Sequence, residues 1–362
     1  MHVGMAAIFQ NPLNERSDFD VYRDDLKLAD LAEPLGFESI WGVEHHFTDY
    51  TMCPDPLQFL TYMAGRTKHV QLGTMVVVLP WHDPIRVAEA VSMLDNLSEG
   101  RLILGLGRGL GRIEFDGFRV PMDTARGRFV ETAEAVLGSL ESGAMEYKGE
   151  FVDQPRRDIR PAPFKSFKGR TYAAAVSPES LKIMANLGIG MLIIPQKPWE
   201  AVEQDLVAYR SAYREVNGVD APAPVTAGWV FCDEDEKRAE EMARQYINGY
   251  WHTVLRHYEF AGTHLKTTQG YEYYARFSDI IKQQGDDGVS DFFMNLQVWG
   301  TPDQCFEKIM AIREKIGNET FTGVFSYAGM SHADAEANMR LFAAKVMPRL
   351  QAVPAREPVA VG

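Results

Sequence analysis

Ser39-Ile-Trp-Gly-Val-Glu-His-His-Phe-Thr-Asp-Tyr50 decides how the chain is read. Residues 39–43 form a short apolar run, the pattern of a strand buried in a core. The run stops at Glu44, His45 and His46, three ionisable groups where a core strand gives way to a loop. In parallel α/β proteins the carboxyl ends of strands are where functional groups gather. One carboxylate and two imidazoles there suit acid–base chemistry, metal ligation or a bound polar cofactor. They equally suit a hydrogen-bonded strand end with a structural histidine.

On either side of this stretch, strand and helix alternate. Residues 3–9 are an apolar strand, and Phe19, Tyr22, Leu26, Ala29 and Ala32 recur at helical spacing before Gly36 stops the helix. Asp55-Pro56 opens a helix to about Thr67, and 70–79 reads as one Val-rich strand. Asp83-Pro84 supplies a cap and a first-turn proline for a helix to Leu97, and 101–107 is a fourth strand, nearly all apolar. The second half repeats the rhythm with strands at 171–176, 190–195, 225–232 and 321–328. The alternation predicts an α/β fold, a TIM (β/α)8 barrel with insertions after strands 4 and 7, in one domain over residues 1–352. The first insertion holds a helix at 129–140 and then an excursion over 143–169 with three prolines and six Lys or Arg. In the second, residues 260–291 are crowded with Gly, Thr, Tyr and Gln and read as a mobile lid. Residues 353–362 read as a disordered tail.

The chain has 37 Lys plus Arg against 50 Asp plus Glu, a formal net charge of −13. This argues against duplex nucleic acid or an anionic membrane as the main partner, while a few local arginines suffice for one anionic cofactor. Cys53, Cys232 and Cys305 are scattered without a CxxC pair, as in a reduced chain. With no leader pattern and no span-length apolar run, a cytoplasmic location is expected.

Ser177 can cap the helix that begins at Pro178, leaving free backbone N–H groups at Glu179 and Ser180 for an anion. Arg108, between two glycines just past a strand end, and Arg126 are candidates to complete a phosphate clamp. The run GLGRGLG (105–111) is not a dinucleotide fingerprint, because no helix pattern opens at once and no acidic residue follows at the required distance. Adjacent strand residues point to opposite faces, and no third histidine stands nearby at helical spacing, so no metal is expected at His45 and His46. Trp81, Trp229, Trp251 and Trp299 are candidates either for core or for an apolar pocket.

The runs WGVEHHFTDY (41–50) and GTMVVVLPWHDPIRVAEAVSMLDNLSEGRLILGLGRGL (73–110) resemble the luciferase-like flavin monooxygenases, and most of all the alpha chain of bacterial luciferase. The likeness continues more weakly through VSPES (176–180), GTPDQC (300–305) and MRLFAAKVMPRLQ (339–351). It implies a TIM barrel that takes reduced FMN from a separate flavin reductase. By way of a peroxyflavin it would use O2 to oxidise an apolar molecule such as an aldehyde, ketone or polycyclic metabolite. By position, His45 matches the catalytic histidine, flanked by Glu44 and His46. Arg108, Arg126, Ser177 and Ser180 match phosphate-binding positions, and Met75-Val76 a non-proline cis peptide under the isoalloxazine. Gly107 replaces a reactive cysteine and Val176 a flavin-contacting glutamate. The family's habit also implies a dimer, here a homodimer through the helices at 55–67 and 83–97, with Phe59, Tyr62, Met63, Val91 and Met93 as contacts. Two other readings remain open: a deazaflavin-dependent hydride-transfer enzyme on the same barrel, and a non-catalytic partner subunit. Retention of His45, Arg108 and Ser177 argues against the second.

Overall fold

The computed structural model describes residues 1–174, 178–260, 262–271, 274 and 289–356. Eight parallel strands close on themselves: β1 (His2–Ala7), β2 (Ser39–Gly42), β3 (Gln71–Thr74), β4 (Leu102–Gly107), β5 (Thr171–Ala174), β6 (Gly190–Ile193), β7 (Val225–Cys232) and β8 (Thr320–Val324). Each pairs with its sequence neighbours, and β8 completes the ring by pairing with β1, His2 opposite Thr320 and Ala6 opposite Val324. This is the expected (β/α)8 barrel. The helices start where capping chemistry dictates. Ser17 accepts from the Asp20 N–H, Asp83 from those of Ile85 and Arg86, and Thr301 forms a reciprocal capping box with Gln304.

The expectation of one strand over 70–79 needs correcting. β3 ends at Thr74, the Met75–Val76 peptide is cis, and pairing resumes only at Val77 and Val78, beside Leu106 and Gly107 of β4. Hydrophobicity alone cannot mark that break, because the residues on both sides are buried.

Both insertions lie where expected. After β4 come the helices Arg112–Phe118 and Ala125–Ser142, then an antiparallel pair, Ala144–Lys148 with Asp153–Asp158. That pair went unread because its second strand is polar, mostly exposed and holds Pro155, so it lacks an apolar alternation. After β7 comes the helix Glu236–His257, and the short strand Val298–Gly300 pairs alongside β7. Of the lid expected over 260–291, residues 261, 272–273 and 275–288 lie outside the described residues. Its described part includes the short helix His264–Thr267 and buried Tyr271, whose hydroxyl donates to the Gly109 carbonyl at 2.9 Å. Of the tail expected over 353–362, residues 353–356 are described. The Pro354 carbonyl accepts from Arg313 and the Arg356 N–H donates to Glu319, while residues 357–362 lie outside the described residues. Among the described residues no helix is long and apolar enough to cross a membrane.

Two of the residues expected at a dimer contact are committed elsewhere. Met63 and Val91 are fully buried in the chain's own core, whereas Tyr62 is 50% and Met93 53% exposed.

Candidate active site

At the carboxyl ends of the strands two cavities adjoin, one of 150 Å³ and one of 80 Å³. They share His45, Met75, Ile194, Gln196 and Tyr258 as lining. His45 therefore stands at the junction, carried there by β2, with its side chain 18% exposed.

Its ring is held by a carboxylate that sequence reasoning missed. His45 Nδ1 lies 3.0 Å from Glu114 Oε1, and the same oxygen accepts the His46 backbone N–H at 2.9 Å. Glu114 Oε2 faces His257 Nε2 at 3.4 Å, and His257 Nδ1 lies 2.9 Å from the Thr48 hydroxyl. Burial alone would raise the Glu114 carboxyl. The charge and hydrogen bond of His45, with His257 close by, outweigh it, and the pKa falls to about 2. Burial also lowers His257, against the pull of Glu114, so this ring leans to its neutral form. A carboxylate can only accept, so His45 donates its Nδ1–H to Glu114, and its Nε2 lies 3.4 Å from the Tyr258 hydroxyl.

Donor atoms of His45, Glu114 and His257 lie within 4.8 Å of one another, a spacing compatible with a metal ion that the order of residues in the chain does not reveal. The only local signal is Gly111, three residues before Glu114. A Cβ there would stand 2.5 Å from Glu114 Oε2 and 3.0 Å from His257 Nε2, so only glycine lets the group close.

Glu44 and His46 make contacts of their own. Glu44 is buried against the larger cavity, but its oxygens accept from His82 Nε2 at 2.6 Å, His46 Nε2 at 3.1 Å and the Val78 N–H at 2.7 Å. Burial would raise its pKa, yet the His46 and His82 hydrogen bonds hold it below the ordinary carboxylate range. Its carboxylate thus fastens the chain just past the cis peptide. His46 turns away from both cavities, its ring centroid 5.4 Å from Trp81 and 4.6 Å from Phe118.

The remaining predicted residues are largely gathered in the larger cavity: Met75, Val76, Gly107, Arg108, Arg126 and Ser180 all line it. A Cβ on Gly107 would stand 2.2 Å from Val76 Cγ2, so the cis-peptide segment packs directly on bare β4 backbone. Arg108 and Arg126 converge: both donate to the Gly270 carbonyl, at 2.9 and 3.3 Å. Arg108 also lies over the Tyr271 ring at 4.1 Å, and Arg126 pairs with Glu179. Among the described residues Arg126 Nε is buried without a partner. Val176 and Ser177 lie outside the described residues. Of the tryptophans, Trp81 lines the larger cavity and Trp229 and Trp251 the smaller, while Trp299 is tied to the Met294 carbonyl.

A closed parallel barrel with a carboxylate-oriented histidine beside an arginine-flanked cavity at its strand ends is the arrangement of a (β/α)8 enzyme. The profile of the luciferase-like monooxygenase family matches residues 1–319, and the chain belongs to that family. It is 25% identical over 346 residues to the alkanal monooxygenase alpha chain of Photorhabdus luminescens, covering 92% of this chain and 94% of the relative. Among solved structures it resembles the monooxygenase RslO1 from Streptomyces bottropensis, with a TM-score of 0.79, 27% identity and 96% and 99% of the two chains covered. The oxygenating constituent of 3,6-diketocamphane monooxygenase from Pseudomonas putida, solved with FMN, shares the fold at TM-score 0.75 and 19% identity, over 98% and 100% of the chains. So does the coenzyme F420-dependent tetrahydromethanopterin reductase of Methanopyrus kandleri, at TM-score 0.65 and 20% identity, over 97% and 100%. The protein is a flavin-dependent monooxygenase of the luciferase-like kind.

Proposed function

We propose that this chain is the oxygenase of a two-component system, using reduced FMN from a separate flavin reductase and O2 to oxidise an apolar small molecule. The observation that carries the reading is the convergence of Arg108 and Arg126 on one carbonyl at the edge of the His45 cavity. Two guanidiniums side by side need an anion of more than one acceptor, and the buried, unpartnered Arg126 Nε leaves a donor for it. The apolar Met75 and Val76, the latter seated on the bare backbone of Gly107, suit the face of a flat ring system. The residues present therefore fit a flavin with a phosphate tail.

When bound, reduced FMN supplies the electrons and the atom at which oxygen is activated. Arg108 and Arg126 hold the phosphate, helped by the Ser180 side chain that lines the same cavity. His45, with its proton fixed on Nδ1 by Glu114, offers Nε2 to hold or move one proton at the junction of the two cavities. Tyr258, Trp229 and Phe293 keep the smaller cavity apolar and exclude water from it. Anaerobic titration with reduced FMN and with reduced deazaflavin tests the reading. Tight, saturable binding of reduced FMN and weak binding of deazaflavin is the expected result. The reverse order makes the chain a hydride-transfer enzyme, and binding of neither makes it a silent subunit.

A further inference from the structure

The smaller cavity carries a pattern of missing hydrogen bonds. Trp229 and Trp251 line it, both buried, and among the described residues the indole N–H of each has no partner. The hydroxyl of Thr51, buried in the same lining, has none either. Elsewhere the chain satisfies a buried indole, Trp41, and a half-buried one, Trp299. Trp41 donates to the Ser39 hydroxyl at 2.8 Å and Trp299 to the Met294 carbonyl at 3.0 Å, and neither lines a cavity described above. Trp81, whose N–H is likewise unpartnered, lines the larger cavity. The orphaned indole donors thus coincide with the cavities, as they should if a ligand completes them.

The rest of the lining is aromatic. Trp229 lies 4.2 Å from Tyr250 and 5.6 Å from Phe293 between ring centroids, and Trp251 stacks on Phe293 at 4.7 Å and 21°. The Tyr50 and Tyr250 hydroxyls satisfy one another at 2.5 Å. Among the described residues no Lys, Arg, Asp or Glu lines this cavity, and His45 stands at its boundary with the larger one. The site therefore offers flat apolar surface and donors, but no formal charge beyond that imidazole.

We propose that the smaller cavity is the substrate subsite and takes a planar aromatic molecule bearing a carbonyl oxygen. The ring packs among Tyr250, Trp251 and Phe293, and the oxygen accepts from Trp229 or Trp251. Its role as substrate subsite rests on the flavin reading, which puts the cofactor in the adjoining cavity. A plain hydrocarbon would leave the donors unpaired, a saturated ketone would not match the flat aromatic walls, and an anion would bring a charge that nothing there but His45 could meet.

Ligand-observed NMR on the flavin-free protein tests this with acetophenone, its hydrocarbon isostere α-methylstyrene, and cyclohexyl methyl ketone, which keeps the carbonyl but not the flat ring. Acetophenone should bind more tightly than cyclohexyl methyl ketone, by about two- to tenfold. Trp229→Phe or Trp251→Phe should lower the preference for acetophenone over α-methylstyrene by about three- to tenfold, that being the share of one hydrogen bond. Thr51→Val, a near-isosteric change, guards against misfolding of the ring variants and should lower the preference less. An unchanged preference in all three variants overturns the donor assignment, and equal or tighter binding of the saturated ketone overturns the aromatic one. Reduced FMN titrated into the same variants should bind as in the wild type. If reduced FMN fails to bind even the wild type while the ketone preference behaves as expected, the flavin reading falls and the carbonyl site stands.

Discussion

Glu114→Gln removes one charge from a buried group while keeping its shape, and the consequence can be worked out. In the folded chain the carboxyl sits at about 2 instead of its ordinary 4.5. At roughly 1.4 kcal/mol per pH unit, that difference corresponds to about 3 kcal/mol of stability, as an order of magnitude. The sign follows from the depressed folded value. The contribution is fully present above pH 4.5, is lost as pH falls from 4.5 towards 2, and is absent below. Urea unfolding of wild type and variant from pH 7 down to pH 3.5 should therefore show a gap of about 3 kcal/mol near neutrality. Below pH 4.5 the gap should close with a slope approaching about 1.4 kcal/mol per pH unit, since one more proton is bound on unfolding. Turnover should also fall, because His45 loses the anionic acceptor at 3.0 Å for its Nδ1–H. A gap under about 1 kcal/mol, or one that does not change with pH, would refute the account of Glu114 as an ionised anchor.

Arg108→Ala should weaken reduced FMN by about ten- to a hundredfold and reduced riboflavin hardly at all, since a charge-assisted contact is worth roughly 1.5–3 kcal/mol; equal losses for both flavins, measured by anaerobic titration, take Arg108 out of the phosphate site. His45→Ala should leave reduced-FMN binding nearly intact while product formation drops by about 10²–10⁴-fold and oxygen uptake ends in hydrogen peroxide. Near-normal coupling in that variant makes the histidine structural. A homodimer through the exposed Tyr62 and Met93 should appear in light scattering of the wild type and dissociate on Met93→Asp, and a wild-type monomer at working concentration removes the proposal.

Much of the barrel was legible because strand and helix periods are local properties. Apolar runs such as 101–107, caps such as Asp83-Pro84 and stops such as Gly36 need no distant partner to be read. His45 could be placed at a strand end for the same reason, and the resemblance of WGVEHHFTDY to a known family marked its part in the site. Tertiary structure alone decided what surrounds it. Glu114 and His257 reach His45 from insertions 69 and 212 residues further along the chain, counted from residue numbers in the sequence, and no periodicity links them. Chain order groups Glu44 and His46 with His45, but only the structure shows that their side chains bond to His82, Val78 and each other. Met63 and Val91 looked like surface apolar residues because a helix face has no label until its neighbours are in place. The unpartnered donors at Trp229, Trp251 and Thr51 are invisible in sequence for a like reason: whether a buried N–H or O–H has an acceptor depends on every group folded around it.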